Sequence, residues 1–269
     1  MIPKIIHYCW FGGGEIPERD KKCIESWKRV CPDYEIIRWD ESNYDVSKNK
    51  YMRQAYEAKK WGFVPDYARL DIVFTYGGIY LDTDVEIIKS FDELLENKAY
   101  MGFEKGSNAV APGLGFGAEK NMPLLLEMME KIYGDRVFKK ESGELDLTPS
   151  PTLAADFLCA KGIKLNGEYQ KVEDMVFYPA DYFCPIDYST NLSTITDKTF
   201  SIHHFHASWQ EPEDQKIHQL SQLLAAKYGA GKAARMGKIL FVPYKIKKYL
   251  RTEGVKWTLS YMLHKLRGD

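Results

Sequence analysis

The 269-residue sequence has few cysteines and no long hydrophobic run. Its cysteines are Cys9, Cys23, Cys31, Cys159 and Cys184. Because their number is odd and no pair has CxxC spacing, the pattern argues against a disulfide scaffold or a zinc knuckle and favours reduced thiols. No apolar stretch approaches the ~20 residues that a membrane-spanning helix needs. Lys4 and His7 interrupt the apolar run near the amino terminus, so we expect no signal peptide.

Several catalytic motifs are also missing. No GxSxG is present, which excludes the nucleophile elbow of serine hydrolases, and no HExxH is present for a zinc protease. The run 12–14 contains three glycines after a predicted strand, but it matches neither GxGxxG nor GxxxxGK[ST]. A dinucleotide-binding Rossmann site and a P-loop are therefore excluded.

The composition is that of an ordinary globular protein, with 45% hydrophobic and 28% charged residues. The length allows one to two domains. The net charge of −1 is unevenly distributed: residues 216–269 contain twelve Lys and Arg against Glu253 and Asp269, a net +10, so residues 1–215 carry −11. A basic tail on an acidic body predicts an anionic partner for the tail, either a membrane surface or a nucleic acid.

The first part of the chain has the pattern of a parallel α/β sheet. An apolar strand at 5–10 is followed by a helix from about residue 17 and a second strand at 34–39, which is typical of a βαβ unit. Pro65 begins a helix over 66–76 that ends at Gly77 and Gly78. A short buried strand at 79–81 then leads directly into an acidic segment. We also expect helices at 122–133 and 153–160, irregular structure at 139–151 and 176–188, and a late strand at 200–204.

Asp82 and Asp84 are the strongest candidates for chemistry. Ligands of open α/β sheets bind beyond the carboxyl ends of the strands, and these residues follow such a strand. In an extended chain, carboxylates one residue apart project to the same side and suit a hard divalent cation. The alternative is that Asp-Thr-Asp forms only a turn.

His203, His204 and His206 are a second candidate group, because imidazole often completes a mixed metal site. Adjacent residues on a strand face opposite sides, so at most one of His203 and His204 points inward. The alternative is that these side chains are structural or exposed.

Asp66 and Arg69 share a helix face at spacing i, i+3. One interpretation is a surface ion pair that contributes little. The other is that Arg69 binds a base or phosphate while Asp66 binds ribose hydroxyls.

Four segments together resemble the DxD-containing sugar transferases of glycosyltransferase family 32. This family includes bacterial capsular and surface-polysaccharide transferases and yeast mannosyltransferases. The segments are IPKIIHYCWFGG, SWKRVCPDYEIIRWDE, PDYARLDIVFTYGGIYLDTDVE and IHHFHASW. The resemblance covers residues 2–90 and 202–209 and does not extend beyond residue 212.

The resemblance implies a GT-A fold, in which a Rossmann-like α/β domain binds a nucleotide-sugar, and a retaining transfer with Mn²⁺ or Mg²⁺. It implies that Asp82 and Asp84 bind the metal and the donor diphosphate. It also implies that a histidine completes the metal shell. The spacing to Trp209 favours His204, with His203 and His206 as rivals.

The remaining family positions concern the donor. By the resemblance, Trp10 would stack on or border the base, and Asp66 and Arg69 would contact the nucleotide-sugar. Ser208 and Trp209 would lie over the diphosphate. No residue is identified as a catalytic base.

These observations predict a GT-A catalytic domain over 1–212 and a basic helical extension over 213–269. The expected activity moves a hexose or N-acetylhexosamine from a nucleotide-diphosphate sugar, with UDP favoured over GDP, to a surface or capsular polysaccharide or a lipid-linked glycan. A non-catalytic sugar-binding protein and a metal-dependent sugar-nucleotide hydrolase are the alternatives. The expected location is the cytoplasm, either free or peripheral on the inner face of the cell membrane.

The tail carries an apolar helical stripe. Its members are Val255, Leu259, Met262, Leu263 and Leu266. Either this helix packs on the catalytic domain with a solvated basic face, or the tail anchors the protein on anionic lipid. Nucleic-acid binding is not expected, since no recognised binding motif accompanies the charge.

Overall fold

The computed structural model describes residues 1–206, 210 and 212–266, without the side chains of 230, 260 and 263–266. The chain divides into two compact units. The first comprises Met1–Asp187 and Ser193–His206, and the second comprises Tyr188–Leu192 and Ala207–Asp269.

The first unit alternates strands and helices. Its strands are β1 (Ile5–Cys9), β2 (Glu35–Trp39), β3 (Gly78–Tyr80), β4 (Val85–Ile87), β5 (Ala99–Gly102), β6 (Phe116–Ala118), β7 (Gln170–Val172), β8 (Met175–Tyr178) and β9 (Ser201–His203). Its helices are α1 (Glu18–Val30), α2 (Lys50–Glu57), α3 (Pro65–Tyr76), α4 (Pro123–Tyr133), α5 (Ser150–Ala160) and α6 (Ala180–Phe183).

A seven-stranded sheet forms the centre of this unit, in the order β2-β1-β3-β6-β5-β8-β7. Strands β2, β1 and β3 are parallel to one another, whereas β6 runs antiparallel to both β3 and β5. The predicted βαβ unit and the α/β fold are thereby confirmed. The sheet and its flanking helices bury two apolar clusters between them. Trp27 of α1 is fully buried, and its indole N–H donates to the carbonyl of Val85 at 2.6 Å.

The segment from α3 to β3 follows the predicted pattern closely. Pro65 occupies the first turn of α3, where its missing N–H costs no hydrogen bond. The helix ends at Gly77, whose φ of 70° lies in the left-handed region that glycine adopts readily. Gly78 has a φ of 104°, and a Cβ there would lie 2.8 Å from the carbonyl oxygen of Ile5. These two glycines therefore let α3 turn directly into a buried central strand.

A separate two-stranded sheet pairs β4 with β9 in antiparallel register, with Val85 opposite His203. This pairing joins the segment that follows the acidic pair to the histidine-rich segment near the end of the first unit. Histidines more than a hundred positions away in sequence are thereby brought to Asp82 and Asp84.

Several elements were not predicted from the sequence. Helix α2 and strands β4 to β7 were missed, and the segment 176–188, expected to be irregular, contains part of β8 and all of α6. The missed strands are short and include Gly102 and Gly117, so they lack the β-branched run that identifies a strand. Gly117 is required by packing, because a Cβ there would lie 2.6 Å from the Tyr100 ring.

The second unit is helical, as the tail pattern predicts. Its helices are α7 (Pro212–Tyr228), α8 (Ala230–Leu240), α9 (Val242–Thr252) and α10 (Gly254–Leu266). Among the described helices of the chain, none combines the length and the apolar character needed to cross a bilayer.

His7 is a fully buried titratable residue in the central sheet. The Trp39 indole N–H donates to its Nδ1 at 3.2 Å, and its Nε2 lies 2.8 Å from the carbonyl oxygen of Gly77. The ring is therefore neutral with its proton on Nε2. Burial lowers the pKa of His7 to about 4, against a partial opposing effect of the Gly77 bond.

We expect His7 to make the first unit less stable at acid pH. The unfolded chain, with a pKa near 6.5, binds more protons than the folded chain, so stability present above that value is lost as the pH falls towards 4. This effect amounts to about 2 kcal/mol between pH 7 and pH 5. Urea unfolding of the native protein and of His7→Gln measures it, since the variant should lose less stability on acidification. Equal pH dependence of the two proteins, or an NMR titration of the native His7 ring near pH 6.5, would contradict the assignment.

Candidate functional site

Asp82 and Asp84 lie where the chain leaves β3 at the carboxyl edge of the sheet. The Asp82 N–H donates to the carbonyl of Gly113 at 3.2 Å, and the Val85 N–H donates back to the carbonyl of Asp82 at 3.1 Å. The segment is thus a turn, and both aspartates in it are partly exposed. The two interpretations of the Asp-Thr-Asp motif are compatible.

Asp82 is held by two side chains. The Tyr80 hydroxyl donates to Oδ1 at 3.0 Å, and the Arg69 guanidinium lies 3.5 Å from Oδ2. Burial raises the pKa of Asp82 above its ordinary value, the Arg69 charge opposes this rise, and the nearby Asp84 carboxylate adds to it. A nearby cation therefore stabilises the ionised form of the Asp82 carboxylate.

Asp84 faces the histidine segment. The Nε2 atom of His203 lies 3.2 Å from its Oδ1, and the backbone N–H of His206 donates to Oδ2 at 2.9 Å. Burial alone would raise the pKa of Asp84, but the His203 charge and these two hydrogen bonds outweigh burial and lower it. Burial likewise lowers the pKa of His203, and the Asp84 charge more than reverses that effect.

Asp82, Asp84 and His203 form a cluster that could hold a metal ion, because one ligand atom from each lies within 4.8 Å of the others. Two carboxylates and one imidazole suit a divalent ion that accepts both oxygen and nitrogen ligands, such as Mn²⁺. The side chains of Asp84 and His203 are each 14% exposed and that of Asp82 is 31% exposed, so the cluster is partly shielded from water and open at Asp82. The residues present therefore fit a divalent metal.

His204, the histidine favoured by the sequence analysis, lies outside this cluster. Its backbone N–H donates to the carbonyl of Asp84 at 3.0 Å, and its Nε2 lies 2.9 Å from a carboxylate oxygen of Glu86. Of the three histidines, the rival His203 is the one whose ring lies in the cluster with Asp82 and Asp84. The spacing to Trp209 carries no information on the register between β9 and β4, and that register decides which ring contacts Asp84.

Asp66 and Arg69 form a buried ion pair, with both side chains about 5% exposed, so the interpretation as a surface pair is wrong. The Arg69 guanidinium donates to Asp66 Oδ1 at 3.0 Å and, through Nε, to the carbonyl of Pro65 at 3.0 Å. Burial raises the pKa of Asp66 to about 6, although Arg69 opposes the rise. Arg69 thus links Asp66 to Asp82.

Gly113 is a site residue that the sequence analysis missed. A Cβ at this position would lie 2.2 Å from Asp82 Oδ2 and 3.1 Å from a nitrogen of Arg69. Only glycine therefore lets the backbone approach the Asp82 carboxylate this closely. The two glycines of Pro112-Gly113-Leu114-Gly115, within an apolar run, were the available indication.

Asp20 was also missed. This α1 carboxylate is 1% exposed, and its Oδ1 lies 2.5 Å from Nδ1 of His206. The neighbouring Arg19 donates to the carbonyl of His206 at 3.3 Å. The first turn of α1 thereby fixes the residue whose N–H binds Asp84. A single acid near a helix start carries no sequence pattern that would distinguish it from a surface residue.

Trp10, Ser208 and Trp209 are the remaining residues that the sequence analysis assigned to the donor. Trp10 follows β1, whose parallel pairing with β3 brings it to the same edge of the sheet as Asp82. Its indole N–H donates to the carbonyl of Gly14 at 2.7 Å. Ser208 and Trp209 lie outside the described residues.

The buried pair predicts a large effect of removing Arg69. In Arg69→Met the Asp66 carboxylate stays buried without its partner, which lowers the free energy of unfolding by about 3–5 kcal/mol. Adding Asp66→Asn removes the stranded charge and restores part of that loss. Urea unfolding at neutral pH measures all three proteins.

Arg53→Met is the matched control, since Arg53 makes an exposed ion pair with Glu57 on α2. We expect it to change the free energy of unfolding by less than about 1 kcal/mol. Equal losses in Arg53→Met and Arg69→Met would contradict the role assigned to Arg69.

Comparison with known proteins identifies this region. Residues 17–101 match the family model described as the glycosyltransferase sugar-binding region containing the DXD motif. The chain is 34% identical over 143 residues to inositol phosphoceramide mannosyltransferase 3 of Schizosaccharomyces pombe. This alignment covers 49% of this chain and 37% of the relative. It is 33% identical over 105 residues to mannosyl phosphorylinositol ceramide synthase SUR1 of Saccharomyces cerevisiae. This second alignment covers 38% of this chain and 27% of the relative.

Among solved structures, the chain is similar to the galactosyltransferase LgtC bound to donor and acceptor sugar analogs. This similarity has a TM-score of 0.41 and 13% identity, and it covers 87% of this chain and 95% of LgtC. The chain spans about a third of the length of the two yeast relatives. The family match includes Asp82 and Asp84 and ends well before His203. The resemblance drawn from the motifs is confirmed over the matched segment: residues 17–101 belong to the DXD-containing sugar-binding region of glycosyltransferases.

Proposed function

We propose that this chain is a metal-dependent glycosyltransferase that uses a nucleotide-diphosphate sugar as donor. The observation that carries the proposal is the convergence of Asp82, Asp84 and His203 within 4.8 Å of one another. Two of the three residues lie in the DXD sugar-binding region. The third arrives through the pairing of β4 with β9.

The proposed metal ligands are Asp82, Asp84 and His203. The mixed donor set favours Mn²⁺ over Mg²⁺, which prefers oxygen ligands. When bound, such an ion neutralises the negative charge that develops on a nucleoside diphosphate as it leaves the sugar.

The chain's own residues would hold this site in place before the donor binds. Arg69 and the Tyr80 hydroxyl fix the two oxygens of Asp82, while the His206 N–H fixes Asp84. Preorganised carboxylates need no rearrangement when the donor arrives, which is the condition for effective electrostatic catalysis. Because Asp66 and Arg69 are buried and bound to each other, we propose that they act on the donor through Asp82. Trp10, at the same edge, would border the base.

For the substrates we propose a hexose or N-acetylhexosamine donor, with UDP favoured over GDP, and a glycan or lipid-linked glycan acceptor such as a surface or capsular polysaccharide. The names of the two yeast relatives support a hexose, since both specify mannosyl transfer to an inositol-containing lipid. The proposed transfer retains the anomeric configuration.

The proposal predicts metal-dependent donor binding. With Mn²⁺, one nucleotide-sugar from a panel that includes UDP and GDP donors should raise the unfolding midpoint, and EDTA should abolish the rise. Asp84→Ala and His203→Ala should lose the rise, whereas His204→Ala, the matched control, should keep it. Turnover should fall about 100-fold or more in the first two variants.

Product analysis completes this test. Transfer of the sugar to an added glycan acceptor supports a glycosyltransferase, whereas release of free sugar with every acceptor favours a hydrolase. Donor binding without turnover favours a sugar-binding protein. A midpoint rise that is equal in EDTA, or loss of binding in His204→Ala alone, would contradict the proposed metal site.

Gly113 provides an independent steric prediction. Gly113→Ala places a methyl group against Asp82 Oδ2 and must shift that carboxylate. Because displacing a reacting group by about 1 Å costs on the order of 100-fold in rate, donor turnover should fall by about that factor. Gly231→Ala is the control, since among the described residues no atom beyond its chain neighbours and its own helix backbone lies within 4 Å of a Cβ there. Equal turnover of Gly113→Ala and the native protein would refute the role of this backbone approach.

A further inference from the structure

The second unit concentrates positive charge on three successive helices. Residues 230–266, which form α8 to α10, contain nine Lys and Arg and one acid, Glu253, a net charge of +8. A surface with this density of one sign attracts an anionic partner at ordinary ionic strength.

Part of this charge is already neutralised within the unit. Lys248 lies 2.6 Å from Asp214, and Arg251 lies 2.6 Å from Glu213. These two ion pairs, and a longer one between Lys247 and Glu213 at 4.0 Å, attach α9 to the first turn of α7. These ion pairs hold α9 against α7. They do not account for the positive charge of the other basic residues of α8 to α10.

Five basic residues are exposed and make no ion pair within the described part of the chain. They are Lys232, Arg235, Lys238, Lys245 and Lys256. Three of them lie on α8, and Arg235 and Lys238 stand on the face that also carries Ile239. This arrangement leaves basic side chains available to a partner.

Large apolar side chains are exposed beside these basic residues. We call the junction of α8 and α9, residues 239–242, the apolar corner. Its Ile239 is 77% exposed, and Leu240 and Val242 are also exposed. In α10, Val255, Trp257 and Leu259 are exposed as well, with Trp257 stacked on Tyr261 at 5.3 Å. Val255 and Leu259 belong to the apolar stripe of the tail, and both of these side chains are exposed.

Bulky apolar side chains flanked by lysine and arginine suit the boundary between lipid headgroups and acyl chains. The apolar groups enter the boundary while the cations remain at anionic headgroups. Trp257 and Tyr261 are the residue types that prefer this region. A nucleic acid would match the charge, but it offers no apolar environment to Ile239, Leu240 and Val242.

We propose that α8 to α10 form a docking surface for an anionic lipid bilayer, with the apolar corner entering the headgroup region. Lys232, Arg235 and Lys238 contact the anionic headgroups beside it. The surface is peripheral and its binding is reversible, because it combines one small apolar insertion with electrostatic attraction. This inference concerns the second unit and does not depend on the proposed transferase activity.

The experiment is co-sedimentation of the full chain with vesicles. Phosphatidylcholine vesicles are compared with vesicles that also contain phosphatidylglycerol, at about 0.1 M and 1 M salt. We expect binding to the anionic vesicles alone, weakened at the higher salt. Equal partitioning to both vesicle types, or no binding to either, would overturn the proposal.

Two variants locate the surface. Removing three charges with Lys232→Gln, Arg235→Gln and Lys238→Gln should weaken partitioning about 100-fold. Ile239→Asn should weaken it about tenfold. The matched controls are Lys22→Gln, Lys28→Gln and Arg29→Gln, which remove three exposed charges of α1, and Leu223→Asn, which changes an exposed leucine of α7. Both controls should bind as the native chain does.

Two readouts separate failure of folding from failure of docking. Circular dichroism should be unchanged in every variant, and a fluorescent DNA duplex should not compete with the vesicles. Variants that remain folded and partition like the native chain would refute the assigned surface. Tight duplex binding that is lost in the triple variant, without vesicle binding, would assign the surface to nucleic acid instead.

Discussion

The antiparallel pairing of β4 with β9 is the constraint on which the candidate site depends. It places His203 opposite Val85, and from that position the ring reaches the carboxylate of Asp84. A shift of one residue in register would exchange the faces of the neighbouring histidines. The site therefore requires two segments far apart in sequence to meet in one register, and Asp20 supports that register by holding His206 from α1.

The second requirement is a buried network of charge behind the acidic pair. Arg69 lies between Asp66 and Asp82, so one cation partly neutralises two carboxylates in a region of low dielectric constant. A divalent ion would add the positive charge that this group of acids still lacks. Gly113 lets the backbone close over the same carboxylate. The site thus combines partly neutralised negative charge with hydrogen bonds and ion pairs that fix both carboxylates.

Local patterns predicted much of this arrangement. The strand–helix–strand pattern and the Pro65 and Gly77 boundaries predicted β1 to β3 and α3. The alternation of side chains predicted that at most one of His203 and His204 would point inward. The choice between those two rings, the burial of Asp66 and Arg69, and the short strands β5 to β7 depend on tertiary register and packing. These are set by residues distant in sequence, so no local periodicity reports them.

The central claim is that Asp82, Asp84 and His203 bind one divalent metal. Anomalous diffraction from crystals grown with Mn²⁺ and a nucleoside diphosphate tests it most directly. The account predicts a single strong manganese peak within coordination distance of these three side chains. A peak between His204 and Glu86, or no peak at the three predicted ligands in crystals that contain the nucleotide, would contradict it.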